Sequence, residues 1–259
     1  MNNFISLDFN LIFTYILLAT VALASVVVCA FSYKLLNAIP AKWLCDYDEV
    51  PDENVLGVRY NFKQSGIYTS ALFAVLMMLI ITIYGLTFYS AFVCAIAYVL
   101  FLIAMCDQKF TIIPDQFIVI LAVLSIGFAV FDLFGDNKFI DSWLKIVAGC
   151  ACGGLFLLVV NLLSILLFKK QGMGFGDVKL MAAVGCCIGF PTTLITLLLA
   201  VVIAFVYILF ILIKSKLSGK ENSHYFPFGP FLCASSVCTL MFIVPIYSGI
   251  DWYISLLTF

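Results

Sequence analysis

The chain has 259 residues, 65% of them hydrophobic and 10% charged, with 13 Lys and Arg against 14 Asp and Glu for a net charge of −1. A soluble globular domain carries roughly 25% charged residues, so this composition excludes a water-soluble enzyme. Apolar runs that reach about 20 residues predict α-helical membrane spans; a β-barrel would instead show short segments of alternating polarity.

The first apolar run, residues 10–33, has no Lys or Arg before it and no small-residue cleavage site after it, so it is expected to be a retained anchor. A charged loop follows over residues 34–66. Residues 68–106 then contain no charge at all. At about 1.5 Å per residue this stretch is too long for one crossing, and the turn is predicted from Tyr84-Gly85 to Ser90. A fourth span is predicted over residues 116–134, ended by the turn chemistry of Gly135-Asp136-Asn137. A fifth covers residues 143–168.

Residues 178–213 are interrupted only by Lys179, and Gly189-Phe190-Pro191-Thr192-Thr193 is the natural break into two helices. The last span is expected to begin at Pro227-Phe228-Gly229-Pro230, since proline suits the first helical turn. The expectation is an all-α polytopic membrane protein of about eight transmembrane helices. Residues 1–67 form an anchor with its loop, and residues 68–259 form the membrane-embedded remainder.

Cytoplasmic loops carry the excess of Lys and Arg. With the N-terminus outside, Lys34, Lys42, Arg59, Lys63, Lys109, Lys169, Lys170, Lys179, Lys214, Lys216 and Lys220 fall on the cytoplasmic side, and only Lys138 and Lys145 on the other. Both termini are therefore expected to be non-cytoplasmic.

The ten cysteines lie mostly inside apolar runs, where a thiol behaves as a small hydrophobe, and they predict no disulfide framework. Cys150/Cys152 and Cys186-Cys187 lack metal-ligand spacing and His224 is the sole histidine, so no metal site is expected.

Chemistry is carried by carboxylates at span ends. Asp107 sits in Cys106-Asp107-Gln108-Lys109-Phe110-Thr111-Ile112-Ile113-Pro114-Asp115, and Asp177 in Gly174-Phe175-Gly176-Asp177. A carboxylate beside hydrocarbon costs several kcal/mol unless paired or solvated. Singly, each has a plain structural reading: Asp177 as a helix cap, Asp107 as a loop acid, Asp115 as a turn residue. The charge count, however, places Asp107 and Asp177 on one face. Gly172, Gly174 and Gly176 leave the backbone bare for close approach by a substrate peptide or a packed helix. Two carboxylates close together in a poorly hydrated place share a proton and titrate as a pair. One then takes a proton from water while the other donates to a scissile carbonyl.

These residues resemble the type IV prepilin peptidases, polytopic aspartyl proteases named for a Gly-x-Gly-Asp motif. The likeness rests on Asp107 with Ile113-Pro114-Asp115, on Gly174-Phe175-Gly176-Asp177 with Lys179, and on Pro227-Phe228-Gly229-Pro230-Phe231. It implies that Asp107 and Asp177 are the catalytic pair, with Gly174, Gly176, Lys179, Pro227 and Gly229 supporting the site, and that Asp115 is not catalytic. It also implies cleavage after a glycine, at the cytoplasmic face of the bacterial inner membrane, of the short basic leader of pilin or pseudopilin precursors with an apolar N-terminal helix. No nucleic-acid partner is implied.

Many members carry two Cys-x-x-Cys pairs in the first loop and also methylate the new N-terminus with S-adenosylmethionine. Here Asn37-Ala38-Ile39-Pro40 matches the family's segment, yet Cys45 stands alone among Asp46, Asp48, Glu49, Asp52 and Glu53. Those acids suit a basic leader or a plain solvated loop equally. Proteolysis needs no cofactor, and S-adenosylmethionine enters only if methylation occurs. A Gly-x-Gly-Asp protease acting on other membrane helices, as presenilin-like enzymes do, and a transporter or assembly protein without proteolysis are the competing classes.

Overall fold

The computed structural model describes residues 9–44, 60, 62–135, 140–169, 173–218 and 227–257. Cys45 and the loop acids Asp46, Asp48, Glu49, Asp52 and Glu53, together with Asp136, Asn137, Gly172 and His224, lie outside the described residues.

Every predicted apolar segment is helical. In chain order the helices are α1 (Phe9–Ala38), α2 (Phe62–Tyr84), α3 (Phe88–Phe110), α4 (Asp115–Phe134) and α5 (Trp143–Phe168). They continue as α6 (Phe175–Ile188), α7 (Thr192–Ser218), α8 (Gly229–Met241) and α9 (Ile243–Leu257), and a short 3-10 turn, Ala41–Leu44, follows α1. Among the described residues there is no strand.

Six helices, α1 to α5 and α7, are long and apolar enough to cross a membrane, and α8 with α9 adds a seventh if that pair, bent by 74°, is taken as one span. The chain is a multi-pass membrane protein. Of the expected passages α6 is the short one, with 14 residues, and it runs back along α5 to its start, where the Phe190 N–H donates to the Lys145 carbonyl at 3.0 Å. At about 1.5 Å per residue it reaches roughly 21 Å, short of the ~30 Å hydrocarbon core. Its apolar character has another cause: the helix is buried along most of its length, from Asp177 and Val178 through Leu180, Met181 and Ala183 to Ile188. A short apolar run of this kind is a core helix, wrapped by protein and not by lipid.

The chain divides into two compact units, with the division at residues 94 and 95 inside α3. In the first, α1 packs on α2. Tyr33 anchors that contact: its hydroxyl shares a hydrogen bond with Thr69 at 2.8 Å, and its ring meets Tyr60 and Phe62 edge-on. Asn37 spends both ends of its amide on the Tyr60 backbone, donating to the carbonyl at 2.9 Å and accepting the N–H at 2.8 Å. The turn into α3 follows Gly85, whose φ of +66° suits glycine. Thr87 and Ser90 then exchange reciprocal backbone-to-hydroxyl bonds at 3.1 Å, a capping box in which Ser stands in the place of Glu.

The second unit is organised around α6, which touches α4, α5, α7 and α8. Against α5 the approach is backbone to backbone. A Cβ on Gly149 would collide with the Gly185 carbonyl, one on Gly153 with the Met181 carbonyl, and one on Gly185 with the Gly149 carbonyl. Small residues that let helix backbones meet are the usual membrane solution, because lipid supplies no hydrophobic drive between helices. At its far end α6 stops at Gly189 (φ +64°), where the Tyr247 hydroxyl of α9 donates to the Ile188 carbonyl at 2.9 Å. The predicted break at residues 189–193 is thus the α6–α7 connection, with the Phe190–Pro191 peptide in cis.

Candidate active site

Three helix ends in the second unit meet at the two acids. Asp107 lies in the last turn of α3, on the face that buries Ile96, Leu100 and Ile103 at helical spacing, and is itself 5% exposed. Beyond it, Thr111 closes the helix in the left-handed region (φ 57°), its N–H donating to the Asp107 carbonyl at 2.8 Å. Pro114 then caps α4, whose first residue is Asp115.

Asp177 is not the N-cap that its isolated reading suggests. Gly174 caps α6, so Asp177 is the third helical residue, and its N–H donates to the Gly174 carbonyl at 3.2 Å. Its side chain turns back toward the Gly174 backbone, whose amide favours the ionised form. Oδ2 is the oxygen on that side of the carboxyl group. The other oxygen, Oδ1, is buried without a hydrogen-bond partner in the protein.

The third end is α8. Phe228 caps it, Gly229 is its first residue and Pro230 its second. Helix N-termini leave their first amides unsatisfied, and Gly229 gives its amide to Asp107 Oδ2 at 2.9 Å. A side chain here has no room: a Cβ on Gly229 would lie 2.5 Å from that oxygen. Pro227 precedes the cap. One turn further on, Cys233 is buried, 3% exposed.

The acids therefore share one electrostatic site. Asp177, in the first turn of a helix too short to span, is pushed up to about 7 by burial first and by the neighbouring Asp107 second, against the opposing Gly174 amide. A carboxyl in that range holds its proton near neutrality, which a general acid requires.

The supporting residues fall into place unequally. Gly176 is closely packed: a Cβ there would stand 3.0 Å from the Ile113 side chain, which would have to give way slightly. Gly174 has ordinary extended dihedrals, and a Cβ there would meet Asp177 Oδ2 at 3.7 Å, an ordinary contact. Lys179 binds both oxygens of Asp115, at 2.8 and 2.9 Å, with its ammonium 5.3 Å from the Phe175 ring centre. Sequence reading took Asp115 as a turn residue and missed this partner, because nothing in one dimension relates positions 64 apart. It also passed over two buried groups. Cys233 gives no sequence signal beyond being apolar. Asp132 did offer one, as an acid inside a predicted span; it is 3% exposed and accepts the Ile140 amide at 2.8 Å, at the opposite end of α4 from Asp115.

Among the described residues no cluster of three or more His, Cys, Asp or Glu is placed to hold a metal ion.

Residues 94–209, which include both acids, match the model of the type IV leader peptidase family. That match covers a little under half of the chain. It is similar to the prepilin leader peptidase/N-methyltransferase of Legionella pneumophila, 29% identical over 66% of this chain and 55% of that protein. Similar too are the proteins of the same name from Pseudomonas putida, 26% identical over 75% and 62%, and Aeromonas hydrophila, 32% identical over 56% and 47%. The chain thus spans about half the length of the curated relatives it matches. No solved structure matches it.

Proposed function

We propose that this chain is a prepilin peptidase of the leader peptidase family whose catalytic pair is Asp107 and Asp177, working in the embedded domain of residues 68–259. The observation that carries the reading is the meeting of the two acids, with Asp177 Oδ1 buried and unpartnered. A buried polar atom calls for a partner, and a reacting water or a scissile carbonyl supplies one. The ionised carboxylate takes a proton from water as its oxygen attacks the carbonyl carbon. The protonated one gives its proton to the carbonyl oxygen. Collapse of the tetrahedral intermediate breaks the C–N bond, and the departing nitrogen leaves with the proton first taken from water.

The substrate we infer is a pilin-like precursor with a short basic leader, cut after glycine ahead of an apolar helix. Both acids then face the cytoplasm, the termini lie outside and the membrane is the bacterial inner membrane, an orientation supported by the distribution of Lys and Arg. N-terminal methylation is part of the relatives' printed name, and it is carried here as a second proposed activity.

Purified full-length protein incubated with a precursor peptide of that form, with products weighed by mass spectrometry, tests the reading. Cleavage after glycine is expected, unchanged by chelators and thiol alkylation, since two carboxyl groups suffice. No cleavage, or abolition by a chelator, would overturn it. A 14-Da gain on the new N-terminus in the presence of S-adenosylmethionine would establish the methyl transfer.

A further inference from the structure

Taking Asp107 and Asp177 as the catalytic pair, as proposed above, we infer that the Lys179–Asp115 ion pair is a positioning device that sets the register between the two segments bearing them. Asp107 and Asp115 stand at the two ends of one short connection. Asp177 and Lys179 stand in the first turns of α6. Where these segments meet, Ile113 seats on the bare backbone of Gly176, and Lys179 binds both oxygens of Asp115 at 2.8 and 2.9 Å.

The connection between Asp107 and Asp115 has little slack. Thr111 is folded back on the Asp107 carbonyl, and Pro114 is held in extended conformation at the α4 cap. A shift of the α4 start against α6 is therefore passed to Asp107. The Phe175 ring, 5.3 Å from the ammonium, narrows the positions open to Lys179. The apolar contact alone resists approach but not sliding. The two-pronged ion pair supplies direction, as bidentate charge-assisted bonds do.

Both side chains are partly exposed, at 34% for Lys179 and 40% for Asp115. A pair so open to water adds little to global stability. Its loss should consequently be read in rate and not in folding.

The test compares Lys179→Met, Asp115→Asn and the exchange Lys179→Asp with Asp115→Lys in the full-length protein, measuring kcat and KM separately along with the thermal midpoint. Each single change is expected to lower kcat about tenfold or more with KM and midpoint little altered, because sub-ångström misplacement of reacting groups is costly. The exchange is expected to recover most of kcat. Lys179→Arg, which keeps two-pronged pairing, should stay within about threefold of the parent, and serves if a neutralised variant does not insert. A single variant with kcat within about twofold of the parent, a loss confined to KM, or an inactive Lys179→Arg would overturn the inference. Asp107→Asn and Asp177→Asn run alongside separate the two readings. If they are inert while Lys179→Met is fully active, the acid pair stands and only the positioning role falls.

Discussion

Asp177 is the residue whose setting has the clearest consequence for pH. Its folded-state value of about 7 lies above that of a carboxyl in the unfolded chain, so its contribution favours the fold at low pH and is lost as pH rises through about 7. Two outcomes follow. Cleavage should fall on the alkaline side of about pH 7 as the proton needed by the scissile oxygen is lost, which a pH–rate profile of kcat/KM will show. Asp177→Asn should be inactive yet melt higher than the parent at pH 8, by about 1 kcal/mol or more, since one pKa unit corresponds to about 1.4 kcal/mol. Gly229 gives a steric counterpart. Gly229→Ala puts a methyl group against Asp107 Oδ2, and the expected result is a loss of cleavage of about a hundredfold, with membrane insertion unchanged on fractionation. At this scale the sequence was most legible in its anomalies: an acid beside hydrocarbon stands out because it is costly. It was silent on partners, and neither the Gly229 amide nor the Lys179–Asp115 bond leaves a one-dimensional trace.

Among the elements, α6 explains why a site can be built inside a lipid-embedded chain. It is short, so its N-terminal turn sits within the protein at the level of the α3 and α8 ends, and neighbouring helices hide its apolar length from lipid. Its placement depends on Gly149 and Gly185, which allow α5 and α6 to touch through their backbones. Gly185→Leu should force the two helices apart and destabilise the protein by about 1–3 kcal/mol, the range for overpacking, read as a lower thermal midpoint in detergent together with reduced activity. Hydropathy gave the helices and their breaks correctly, because a break needs only Gly and Pro chemistry. It did not set α6 apart from the long spans, because a buried core helix and a lipid-facing helix have the same apolar composition. The bend of 74° between α8 and α9 was hidden for a similar reason: a continuous apolar run carries no record of direction.

For the whole molecule, the proposed orientation rests on eleven Lys and Arg against two, a split that holds with α6 counted as a passage of the chain. A cysteine introduced at Lys216, after the intrinsic thiols are removed, should react with a membrane-impermeant reagent only once cells are opened. One introduced at Asp141 should react in intact cells. The reverse pattern would place the acids on the outer face and separate them from any leader peptide held in the cytoplasm. The central claim is that Asp107 and Asp177 act as one unit, and the most direct measurement is the cleavage rate of Asp107→Asn, Asp177→Asn and the double variant on one precursor. Groups that act together fail together, so each single change should lower kcat at least about a thousandfold and the double change no further. A single variant that keeps kcat within about tenfold of the parent, or a double variant far below either single one, would contradict it.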